Sequence, residues 1–184
     1  MIPHKSLREA SCADEYDPNS MPVERARALI RDYLDPVTTV ERVHIRQALG
    51  RTLAADVVSP IDVPGHDNSA MDGWAVRFAD LSPGAPTTLA RIGESFAGRP
   101  CESRVGSGQA VRIFTGAVMP EGTDTVVMQE RAEERAGSVV VAPGAVTQPG
   151  QNRRFAGEDV KAGGIVFRRG QSMKPAEIGM LASL

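Results

Sequence analysis

Two stretches of the chain gather side chains that could do chemistry. The first reads Ile61-Asp-Val-Pro-Gly-His-Asp-Asn-Ser-Ala-Met-Asp-Gly-Trp-Ala-Val-Arg77 and holds three carboxylates, Asp62, Asp67 and Asp72, with Asn68 and Ser69 between them. Asp72-Gly73 is a turn dipeptide that opens a strand. The Asp72 carboxylate would then stand at a strand entrance, where it can face a ligand or a metal. Alternatively, Asp67, Asn68 and Ser69 simply satisfy backbone donors within a loop. The second stretch reads Arg112-Ile-Phe-Thr-Gly-Ala-Val-Met-Pro-Glu-Gly-Thr-Asp-Thr-Val-Val-Met-Gln-Glu130. Thr115-Gly116 ends an expected strand, so the hydroxyl and nearby N–H groups could meet an oxyanion. Ordinary turn chemistry is again the alternative, and composition leaves both open.

Other chemistries find no support. Gly106-Ser-Gly108-Gln-Ala-Val111 begins like a dinucleotide loop, but Val occupies the third glycine position and no helix signal follows. No GxxxxGK[ST], HExxH, GxSxG or CxxC occurs, and residues 67–73 space their carboxylates wrongly for a calcium loop. His4, His44 and His66 are scattered, and no set of metal ligands is expected.

The elements that must carry these stretches follow from composition and period. The chain has 184 residues, enough for one domain or two small ones with a core of their own. Its 21 Lys and Arg against 23 Asp and Glu give a net charge of −2, which argues against a nucleic-acid binder. No apolar run is long enough to span a membrane. The polar N-terminus and two distant cysteines, Cys12 and Cys101, suit a cytoplasmic chain. Eighteen Gly and 13 Pro, spread along the sequence, point to short strands joined by tight turns.

Residues 1–20 are expected to be a disordered tail. Apolar positions Val23, Ala26, Ile30, Tyr33 and Leu34 predict a helix over 23–34, with Ser20 as cap, Pro22 in the first turn and Pro36 beyond its end. Residues 40–46 alternate partly, as a half-wet strand would; 53–58 fit a short helix or a strand equally well. Further strands are expected at 74–78, 89–92, 110–114, 125–128, 138–141 and 164–167. Their pitch suggests a compact barrel or sandwich. A final helix starts at Pro175, with Ile178, Leu181 and Leu184 on one face, and runs uncapped to residue 184. Such an ending is expected where a longer chain has been cut; a frayed natural end is the alternative.

Pro64-Gly-His-Asp-Asn-Ser-Ala-Met-Asp-Gly-Trp-Ala-Val-Arg77 resembles the signature of the molybdopterin molybdenumtransferase family, which includes MoeA and the E domain of gephyrin. Three more stretches resemble the family in the same order: Arg112-Ile-Phe-Thr-Gly-Ala117 with its following Pro-Glu-Gly-Thr-Asp, Gly157-Glu-Asp-Val160, and Lys174-Pro-Ala-Glu-Ile-Gly-Met-Leu-Ala-Ser-Leu184. The likeness runs from about residue 21 to the end. Trp74 stands where the family usually has Tyr, and His66 where an aromatic is common; both keep a flat ring.

The resemblance implies an α+β, β-rich fold: a split N-terminal mixed domain with a small inserted β barrel or sandwich, the C-terminal family domains being absent. Residues 21–57 and 150–184 would form the split domain I, which contributes to dimerisation, and 58–149 the β-rich domain II. It implies insertion of molybdate into adenylylated molybdopterin with release of AMP, aided by Mg2+ whose ligands lie mostly outside this chain. The cleft would lie between domain II of one subunit and the missing domain III of the other. Asp72 and Thr115 match residues implicated in activity, with Asn68, Ser69 and Arg112 as substrate-binding candidates. Arg153 and Arg154 could meet a phosphate or form a solvated pair. A homodimer, and a molybdopterin adenylyltransferase as functional partner, are also implied. The chain alone would be inactive. The alternative from the same family is a non-catalytic dimerisation or scaffold module.

Overall fold

A computed structural model describes residues 21–184. The expected tail and Ser20 lie outside the described residues. The chain divides into two units that part between Arg42 and Val43.

In the first unit, α1 spans Val23–Tyr33. Pro22 is its N-cap rather than part of its first turn, and offers no side-chain cap. The helix stops at Leu34, which is extended at ψ 114°. Asp35 precedes Pro36 and is itself biased away from helix. The strand expected at 40–46 is absent. His44 instead accepts the Arg46 N–H on Nδ1 at 3.3 Å and starts a 3-10 turn, Ile45–Gln47. A locally capped turn competes well with a strand whose apolar face is only partly alternating.

The second unit is built on a six-stranded sheet. Its strands are β3 (Gly73–Val76), β4 (Thr87–Ser95), β5 (Gln109–Ile113), β6 (Thr125–Met128), β7 (Ala132–Arg135) and β8 (Ser138–Val141), in the order β6-β3-β5-β4-β8-β7. All neighbours are antiparallel except β4 and β5. Among the described residues no strand pairing joins the outer strands β6 and β7, so the sheet is open by hydrogen bonding. Two small antiparallel pairs accompany it. One joins β1 (Val57–Val58) to β10 (Ile165–Phe167); of the ambiguous stretch 53–58 only these last two residues are strand, and 53–56 are neither helix nor strand. The other joins β2 (Asn68–Ser69) to β9 (Arg153–Arg154).

Both faces of the large sheet are covered, because side chains alternate along each strand. Trp74, Val76, Leu89, Ala110, Val127, Val139, Val141 and Val146 fill one face. Ala75, Val105, Val111, Ile113, Ala117 and Val126 fill the other. Each fully buried Val or Leu contributes roughly 1.5–3 kcal/mol. The fit is close at Gly73, where a Cβ would lie 1.9 Å from the Val127 carbonyl oxygen. Only a residue without a side chain lets β3 approach β6 there.

The last helix, α2, spans Pro175–Ala182. Glu177 Oε2 accepts the Lys174 N–H at 3.1 Å, closing its first turn. Its expected face of Ile178, Leu181 and Leu184 is half-buried. Among the described residues, no helix is long and apolar enough to cross a membrane.

Candidate functional site

Asp72 sits at the entrance of β3 and Thr115 just beyond the end of β5, 43 residues away in sequence. The antiparallel pairing of Gly73 with Ile113 brings the two strand ends together. Asp72 Oδ1 accepts both the backbone N–H and the hydroxyl of Thr115, each at 2.8 Å. Both residues are exposed. Asp72 Oδ2 has no protein donor among the described residues.

The surrounding backbone is interlocked. The turn after β5 closes through Ala117 N–H to Phe114 C=O at 2.9 Å. Gly116 takes φ +80°, a region that glycine enters without strain. Gly116 N–H donates to Ser69 C=O at 2.8 Å, Ser69 N–H to Ala117 C=O at 3.0 Å, and Met119 N–H to Asp67 C=O at 2.9 Å. The N–H groups of Thr115, Gly116 and Ala117 are therefore all engaged within the protein. The oxyanion reading of this turn loses its donors. Thr115 Oγ1 donates to a carboxylate, so it presents lone pairs outward.

Asp72 is held below the usual carboxylate range. The Thr115 N–H is the largest cause and the Thr115 hydroxyl the next, with the Arg112 charge adding to them. It stays ionised at neutral pH and is a weak proton acceptor. Its chemistry is that of an oriented anion rather than a general base.

Arg112 lies beside this pair. Its guanidinium donates to Gly73 C=O at 3.2 Å and to Gln129 Oε1 at 2.6 Å. Gln129 N–H in turn donates to Asp72 C=O at 3.0 Å. Gln129 was missed in the sequence reading, although it lies inside the second polar stretch. Ser69 is buried, with its hydroxyl donating to Met71 C=O at 2.5 Å and accepting Met71 N–H at 3.2 Å. That geometry shapes the loop and leaves the hydroxyl turned inward. Asn68 is half-buried and registered opposite Arg154, and its side-chain amide has no protein partner among the described residues.

A second polar seam holds the same loop from the other side. Asp67 accepts Ala156 N–H at 2.7 Å and forms a close ion pair with Arg153. The hydrogen bond from Arg153 and that from Ala156 keep Asp67 below its ordinary value. Arg153 also lies 4.8 Å over the Phe155 ring, and its Nε is buried without an acceptor. Arg154 pairs with Asp159 at 2.5 Å and Glu158 at 3.4 Å. Both arginines already face carboxylates, so neither offers an unpaired charge to a phosphate. Gly157 follows at φ +70°, and its N–H donates to Pro64 C=O at 2.9 Å. A Cβ at Gly157 would press on the Asp62 carboxylate at 2.9 Å. The Val63-Pro64 peptide bond is cis.

Among the described residues, no three His, Cys, Asp or Glu side chains gather to hold a metal. Asp72 could give a divalent cation one anionic oxygen, which does not make a site. Mg2+ does not fit the described residues by themselves.

An open β-rich unit carrying these two interlocked loops is the architecture of a known family. Residues 21–184 match the family model for the MoeA N-terminal region (domain I and II), and the chain belongs to this family. It is 42% identical over 163 residues to the molybdopterin molybdenumtransferase of Haemophilus influenzae, covering 88% of this chain and 39% of that protein. It is 33% identical over 182 residues to the gephyrin of Dictyostelium discoideum, covering 90% of this chain and 25% of that protein. Its fold matches the crystal structure of the molybdopterin biosynthesis MoeA protein of Pyrococcus horikoshii OT3 with a TM-score of 0.81 and 36% identity, over 89% of this chain and 43% of that one. The chain thus spans less than half the length of these relatives.

Proposed function

We propose that this chain supplies the N-terminal portion of a molybdopterin molybdenumtransferase, working in the cytoplasm as a homodimer. The full enzyme would insert molybdate into adenylylated molybdopterin and release AMP, receiving its substrate from a molybdopterin adenylyltransferase. The names of the relatives support the class of reaction. The observation that carries the site is the shared Asp72 Oδ1, which takes both donors of Thr115 at an exposed strand end.

The roles follow from hydrogen-bond inventory. Asp72 Oδ2 and the Thr115 lone pairs form an acceptor-only edge, suited to protonated ligand groups or a water bound to a cation. Arg112 supplies the opposite character. Its unused N–H groups can meet phosphate or molybdate oxygens, while Gln129 and Gly73 hold its plane. Asn68 offers both a donor and an acceptor nearby. The contribution is positioning and electrostatics, with proton abstraction unnecessary. Mg2+, where it takes part, would draw its ligands chiefly from outside residues 1–184. These residues form one wall of the cleft, so alone they are expected to be inactive.

The gephyrin likeness supports a second reading, an assembly module without chemistry. Asp72→Asn in the full-length protein separates the two. The substitution keeps shape and removes charge. Loss of AMP release from an active parent, with an unchanged dimer, supports the enzyme; a parent that releases no AMP while keeping its dimer supports the scaffold.

A further inference from the structure

The outer edge of β6 is closed by a segment that is not a strand. Val126 is registered with Ala75 of β3 and is fully buried, yet its backbone bonds are made on the other side. Its N–H donates to Gln151 C=O at 3.0 Å, and its C=O accepts the side-chain amide of Asn152, Nδ2, at 2.9 Å. One residue earlier on each side, Gly150 N–H donates to the buried Thr125 hydroxyl at 3.1 Å. Buried edge groups left unpaired are costly, so residues 150–152 stand in for a missing neighbour strand.

Asn152 reaches this edge in an uncommon backbone conformation. Its φ is +61°, and no other non-glycine among the described residues has a positive φ. Asparagine enters that region more readily than most side chains. Because its side chain makes the edge pairing, its backbone C=O is left for a second grip. It accepts Ala70 N–H at 2.9 Å. Arg153, the next residue, is registered opposite Ser69.

The two grips fall on the two flanks of the candidate site. Ala70 lies two residues before Asp72. Among the described residues, it is the last before Asp72 whose backbone bonds outside residues 67–72, since Met71 bonds only to the Ser69 hydroxyl. On the other flank, β6 runs from Val126 to Met128 and delivers Gln129. Gln129 N–H holds Asp72 C=O, and its side chain holds Arg112. No hydrogen bond among the described residues joins Asn152 to Asp72, Thr115 or Arg112 themselves.

We propose that Asn152 is a positioning residue for this site. Its amide fixes the β6 edge, its carbonyl fixes Ala70, and together they set the placement of Asp72 relative to Gln129 and Arg112. Its effect on a rate rests on the proposed function; the coupling through Asn152 is a property of this chain alone.

Three substitutions test it. Asn152→Gly, the mildest, keeps the left-handed backbone and the carbonyl and removes the donor. Asn152→Asp keeps the outline and turns an acceptor toward Val126 C=O. Gln151→Ala is the control. It removes Oε1, which accepts the Thr147 N–H at 2.8 Å and hydroxyl at 3.3 Å, and so loosens the same segment with both Asn152 grips intact. In backbone amide NMR of this chain, both Asn152 variants should move the Gln129 and Thr115 signals, and Gln151→Ala should leave them in place. In the full-length protein, both Asn152 variants should lower kcat for AMP release by about tenfold to a hundredfold with KM changed by about twofold or less, and Gln151→Ala should keep the parental rate. A residue that only stabilises the fold would lower the melting temperature and leave those signals, and kcat per folded molecule, unchanged. That result overturns the proposal, as do moved signals with a parental kcat. A full-length parent that releases no AMP strikes the proposed function instead, and the Gln129 and Thr115 signals then decide whether Asn152 sets the site.

Discussion

The large sheet and the loops at its end are held by different forces. Trp74, Ala75 and Val76 of β3 are buried on both sides by apolar neighbours. Two residues earlier the balance reverses. Asp72 is exposed, and residues 67–72 are fixed by backbone bonds to Gly116, Ala117 and Met119 on one side and by Asp67 contacts to Arg153 and Ala156 on the other. Packing has no orientation, whereas hydrogen bonds do. The sheet provides rigidity and the polar seams provide aim, so a polar group can be displayed without being free to wander.

That contrast predicts unequal responses to mutation. The largest effect belongs to the sheet. Gly73→Ala forces a methyl group onto the Val127 carbonyl, and should lower stability by about 3 kcal/mol or more in thermal or urea unfolding. Near-parental stability would mean that β3 and β6 are not so closely joined. A smaller loss is expected at the seam. Asp67→Asn weakens a partly exposed ion pair but retains a polar acceptor, and should cost about 1 kcal/mol in the same assay. Its amide signals should move in residues 67–72 and 152–156 while those of β5 and β6 stay in place. Smallest is the response to acid. Asp67 and Asp72 both have folded pKa values depressed below 3.8. Their contributions are complete above that value and are lost as pH falls through the lower folded ones. The Thr115 amide signal should therefore hold steady through mild acid and shift only below about pH 3.8, the ordinary value. A shift centred at higher pH would contradict the pairing.

The sequence revealed the sheet unevenly. Apolar runs at 125–128 and 138–141 lie where strands were expected. β7 was not anticipated, because Ala-Glu-Glu-Arg at an exposed edge carries no burial pattern and gains its order from pairing with β8. β2 and β9 are too short to have a period at all. Residues 40–46 did alternate partly, yet among the described residues no strand ladder includes them and a His-capped turn forms instead. At the site, residue types singled out Asp72 and Thr115, but nothing in a 43-residue separation says that they touch. Only the resemblance joined them before the fold did. Gln129 was not singled out because it acts through a cross-strand contact that no local spacing encodes.

The most direct test is a double-mutant cycle on Asp72 and Thr115 in the full-length protein, measured as AMP release from adenylylated molybdopterin. Asp72→Asn and Thr115→Val should each abolish most of the rate with little change in thermal stability. The double variant should then be no worse than the poorer single one, because the two side chains act as a unit. Parental rates in the folded single variants, or losses that simply multiply, would contradict a shared site.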